Sequence, residues 1–74
     1  MDYKAFFGDV ERWIQEANHK AISLGMDSPD FWAWVADSTG GLCLKYQDHR
    51  LAIKQMMMLF EWLEEVYDSR RTGR

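Results

Sequence analysis

Apolar side chains recur every three or four positions along almost the whole chain, and this period constrains the fold more than any other feature. Tyr3, Phe6, Phe7, Val10, Trp13, Ile14, Ala17, Ala21 and Leu24 fall on one side of an α-helix, in a stripe about 120° wide. The stripe predicts a first helix over residues 3–24, stopped by Gly25, a residue suited to the left-handed position past a helix end. Lys4, Glu11, Arg12, Gln15, Glu16 and His19 occupy its outer face.

Ser28-Pro29-Asp30 reads as a second helix start. The serine can accept from a free amide, proline suits the first helical position, and the early carboxylate complements the helix dipole. Phe31, Trp34, Val35, Leu42 and Tyr46 continue in helical phase, and the phase survives across Gly40-Gly41. Adjacent glycines cost a helix about 1 kcal/mol each relative to alanine. The expectation over residues 29–46 is therefore one continuous helix, with a break at the glycines as its competitor. Asp48 can cap a third helix reaching Tyr67, with Ala52, Ile53, Met56, Leu59, Phe60, Leu63, Val66 and Tyr67 inward. Arg50, Lys54, Glu61, Glu64, Glu65 and Asp68 gather opposite. Three helices of similar length with short connections predict an all-α fold, a small antiparallel three-helix bundle. Residues 1–69 form its single domain, and residues 70–74 are expected to fray into a disordered basic tail.

Seventy-four residues lie near the lower limit for a self-sufficient core; such a chain buries about 60–65% of the surface its unfolded form exposes. Scaffolds of this size recruit disulfides, metals, large aromatics or another chain. Cys43 is the only cysteine, which excludes an internal disulfide and favours a reducing compartment. No Cys/His cluster supplies four metal ligands, and no cofactor is expected. That leaves the aromatics, four Trp, four Phe and three Tyr, and self-association. The start of the chain lacks a basic segment followed by an apolar core, and no apolar run approaches the roughly 18–20 residues that span a bilayer. The expected location is cytoplasmic, with no membrane partner. The net charge of −3 combines −6 over residues 1–69 with +3 from Arg70, Arg71 and Arg74. An acidic body repels phosphate backbones, which argues against nucleic-acid binding.

The third helix carries more apolar surface than one core requires. Leu51, Met58 and Trp62 lie to one side of its main stripe, separated from it by Gln55. A second seam of this kind suits another helix, from a twin chain or a different partner; its competitor is a broad stripe with Trp62 closing the edge of the monomer core. Met56-Met57-Met58 points in three directions, so one methionine faces the core while two flank it. Trp32 is one step out of phase with Phe31 and Trp34 and is expected to leave the core of the second helix, above Ala36, Thr39 and Cys43. It is a candidate contact residue, against the alternative of a ring folded over the bundle edge.

Glu61, Glu64, Glu65 and Asp68 form an acidic face, more in keeping with solvation than with acid–base work. It could also imitate phosphate and occupy a basic groove on a nucleic-acid enzyme. His19 and His49 lack a partner at metal-ligand spacing. Cys43 has no neighbouring histidine and reads as a small apolar residue.

The stretch from Lys45 through Gln55 (KYQDHRLAIKQ) and that from Met58 through Glu65 (MLFEWLEE) resemble the C-terminal part of small helical proteins encoded by phages and prophages of Gram-positive bacteria. The resemblance carries no assigned activity. It implies an accessory or regulatory protein that binds a host or phage macromolecule.

No grouping of residues supports a catalytic mechanism. The sequence favours a non-catalytic protein–protein interaction module, a homodimer or the binder of another protein, with Leu51, Gln55, Met58, Trp62 and Trp32 as contact residues. An acidic inhibitor that imitates nucleic acid is the alternative. A helix-turn-helix DNA binder ranks below it, because the third helix has Arg50 and Lys54 but then turns acidic. No small-molecule substrate is evident.

Overall fold

Each helix begins where a polar side chain can satisfy free backbone amides. In the computed structural model, which describes residues 1–71, the chain forms α1 (Tyr3–Leu24), α2 (Pro29–Lys45) and α3 (Arg50–Arg71). There is no strand among the described residues. Asp2 caps α1 by accepting from the Ala5 amide at 3.1 Å. Gly25 ends it at φ +86°, its amide donating to Ala21 at 3.0 Å. Ser28 caps α2 through the Asp30 amide at 3.1 Å, with Pro29 in the first turn. The helix continues without interruption through Gly40-Gly41, as the phase of the stripe predicts.

The α2–α3 connection departs from expectation. Asp48 does not cap α3, because it closes α2. Gln47 and Asp48 both adopt positive φ, +58° and +55°. The Gln47 amide donates to Leu44 at 2.9 Å and the Asp48 amide to Cys43 at 2.8 Å. This is the paired reverse bonding of a Schellman helix end, built without its usual glycine. His49 opens α3 instead. Its carbonyl accepts from Ile53 at 3.0 Å and its Nδ1 from the Leu51 amide at 3.2 Å.

At the other end, α3 runs past Tyr67 to Arg71, so the disordered tail expected over residues 70–74 is corrected for residues 70 and 71. Val66 and Tyr67 pack against the core, and a cation such as Arg70 in the last turn complements the helix dipole. The rest of the expected tail, residues 72–74, lies outside the described residues.

The core joins Phe6, Val10, Trp13 and Ala17 of α1 to Phe31 and Val35 of α2 and Ala52, Met56, Leu59 and Leu63 of α3. Met26, from the first connection, closes one end. The stripe on α1 is narrower than the sequence suggests, since Tyr3, Phe7 and Leu24 are exposed. α1 and α3 each pack more extensively on α2 than on each other, giving a body of 41 × 20 × 18 Å.

The place of α2 between two neighbours explains its tryptophans. Trp34 stacks on Trp13 of α1 at 5.6 Å and 15°, and the Trp13 Nε1–H donates to Ser38 at 2.7 Å. Trp32 turns the other way and meets Phe60 at 5.9 Å and Tyr67 at 5.8 Å on α3. Its Nε1–H donates to the Met26 carbonyl at 2.7 Å. Trp32 therefore does not leave the fold as its phase predicts. A helix with two neighbours needs two apolar flanks, and the one-stripe reading assumed a single one.

Two opposite replacements should each stabilise the fold by about 0.5–1 kcal/mol. A Cβ at Gly41, on an exposed turn of α2, would meet nothing within 4 Å, so Gly41→Ala gains helix propensity without a clash. Gln47→Gly relieves the left-handed backbone at the end of α2. Urea unfolding should show both midpoints above that of the wild type.

Candidate interaction surface on the third helix

On a helix whose core-facing side chains are Ala52, Met56, Leu59 and Leu63, the 100° step between residues leaves a flank on either side of that stripe. On the flank toward α1, Met58 is 54% exposed and Trp62 is 39% exposed, while Leu51 and Gln55 are half-buried. Met58 and Trp62 line an open groove of about 560 Å³ with Ile14 of α1, Leu59 at its floor, and Glu61 and Glu65. Ile14, read from sequence as part of the α1 stripe, forms the far wall. The seam of the sequence analysis is thus divided. Leu51 packs partly on the core, and Met58 and Trp62 carry the open surface.

The flank toward α2 is apolar as well. Ile53, Met57 and Phe60 face Ala36, Thr39, Gly40 and Cys43 across a groove of about 300 Å³. Of the three consecutive methionines, Met56 is buried and Met57 and Met58 are exposed, as helical geometry predicts. Burial and the nearby Asp48 charge push the Cys43 thiol up from its ordinary value, which favours its protonated form.

The acidic residues, at i, i+3, i+4 and i+7 along α3, share its outer side and border two hollows. Glu61 and Glu65 border the Met58–Trp62 groove, whereas Glu64 and Asp68 share a hollow with Trp32 and Tyr67. All four are exposed.

The most strongly perturbed carboxylate is one that the sequence reading passed over. Asp9 is buried in the phase of the α1 stripe, three residues after Phe6 and four before Trp13, where an acid needs partners. The end of α2 and the residue that caps it supply two: Lys45 Nζ at 2.8 Å and the Tyr46 hydroxyl, which donates at 2.5 Å. Arg12, one turn on, pairs with the other oxygen. The hydrogen bonds from Lys45 and Tyr46 hold the Asp9 carboxyl at about 2. The same carboxylate, by accepting a hydrogen bond from the phenol, pushes Tyr46 up to about 12. A carboxylate in the apolar phase was the signal available for finding this network. Its charges are spent on joining α1 to the end of α2.

Among the described residues, no group of three or more His, Cys, Asp or Glu is placed to hold a metal ion. No helix among them is long and apolar enough to cross a membrane. No protein-family profile, curated protein or solved structure matches the chain.

The low Asp9 value fixes the sign of an acid response. The folded carboxyl titrates below its unfolded counterpart, so its contribution is complete above about pH 5 and disappears as pH falls toward 2. The contribution is on the order of 1–2 kcal/mol, because Arg12 and Lys45 are themselves largely solvated. Asp9→Asn should be less stable than wild type by this amount at neutral pH. Urea midpoints measured between pH 5 and pH 2 should converge for the two proteins.

Proposed function

We propose that this chain is a non-catalytic helical interaction module that works by binding a protein partner in the cytoplasm, without a cofactor. A phage or prophage accessory role agrees with the resemblance noted in the sequence. The observation that carries this reading is the groove between α1 and α3, where Met58 and Trp62 remain exposed beside Ile14. Tryptophan supplies a large contact area with few rotatable bonds, and methionine adapts to the shape laid against it. Glu61 and Glu65 border the groove and favour a partner helix with an apolar stripe and a cationic flank. Asp9, the carboxylate most displaced from its ordinary behaviour, is occupied by Lys45, Tyr46 and Arg12 and serves the fold.

The acidic-mimic reading has less support, because two of its four carboxylates, Glu61 and Glu65, border the apolar groove of Met58 and Trp62. A helix-turn-helix role has less still, with Arg50 and Lys54 confined to the first turns of α3.

A photo-reactive benzophenone residue at Met58 should cross-link to protein in the cells that produce the chain. The same residue at Ile22, 85% exposed and away from the groove, should not. Trp62→Ala should reduce the Met58 adduct severalfold. Absence of any adduct from position 58 would defeat the interaction reading.

A further inference from the structure

We propose that the occupant of the α1–α3 groove is a second copy of this chain, its α3 lying antiparallel along the first; this rests on the interaction-surface reading above. Leu51, Gln55, Met58 and Trp62 succeed one another at spacings of four, three and four, which is the seam spacing of a two-stranded coiled coil. Lys54 and Glu61 stand along the outer flank of that seam, both exposed. They are about 10 Å apart along the helix axis, at 1.5 Å of rise per residue, too far to pair within one helix.

A twofold axis crossing α3 midway between Gln55 and Met58 makes the surface complementary to itself. Leu51 then meets the partner's Trp62, and Gln55 meets the partner's Met58. The same register brings Lys54 opposite the partner's Glu61, and the symmetry repeats the pair at the other end. Glu65 reaches the level of the partner's Arg50, at the positive end of that helix.

A parallel pairing offers none of this. It would direct Lys54 toward the partner's Leu59 and leave Lys54 and Glu61 without opposite charges. The groove volume and the exposed Trp62 supply the contact, and the charges choose the direction.

Sedimentation equilibrium on the full chain, with helix content followed by circular dichroism, tests both parts. The wild type should dimerise. Lys54→Glu and Glu61→Lys, each placing like charges together twice per dimer, should weaken it about ten-fold. The double variant carrying both changes should recover to within a few-fold. Gln55→Leu should tighten the dimer, and Trp62→Ala should dissociate it with helix content retained. A wild type that stays monomeric at about 1 mM overturns the second copy as occupant. If Met58 still cross-links to a protein of another mass, the interaction reading survives that result. A dimer in which the two charge changes add without rescue overturns the antiparallel arrangement.

Discussion

The placement of α2 between the other two helices governs the rest of the molecule. α1 and α3 pack on α2 more than on each other, although the three helices share one core. The facing flanks of α1 and α3 stay partly uncovered, and that is where Ile14, Met58 and Trp62 define a groove. A tighter three-way bundle would close this space over Leu59 and remove the surface. The open groove follows from the packing arrangement as much as from the residues in it.

The helices and most of the core were legible in the sequence because burial repeats at the helical period. Phe6, Val10, Trp13, Phe31, Val35, Ala52, Met56, Leu59 and Leu63 were all in the expected stripes, and Ser28 and Gly25 marked real boundaries. Trp32 was misplaced because a period locates one face and cannot reveal that a helix has two neighbours. Asp48 was misplaced because local capping preference is blind to competition; the end of α2 claimed that residue before α3 could use it. Met26 was missed because a connection has no period. Of the surface, the exposure of Met58 and Trp62 was legible, whereas the contribution of Ile14 required the relative placement of α1 and α3.

Polar groups in the interior serve register. Trp13 and Trp32 each spend an indole N–H on a fixed acceptor, Ser38 and the Met26 carbonyl, so their rings cannot slide without leaving a buried donor unmet. Asp9 does the same with charge, tying α1 to Lys45 and Tyr46. For a chain this short, apolar burial alone leaves little margin between alternative packings. Directional bonds from α2 to α1 and to the connection between them separate these packings.

The carboxylate clamp also sits immediately beyond the Gly40-Gly41 pair. These residues give the second half of α2 the weakest intrinsic helicity in the chain, and nothing packs over their Cα atoms. Lys45 and Tyr46 hold the far side of this soft span, so the span is pinned from both directions when Asp9 is ionised. Once Asp9 accepts a proton, the closing turns of α2 lose their ionic tie and keep only the packing of Leu42, Cys43 and Tyr46, while Phe31 and Val35 stay seated. Acid should then unzip the molecule from its carboxyl-side turn inward, with backbone amides after Gly40 exchanging with deuterium ahead of those around Val35.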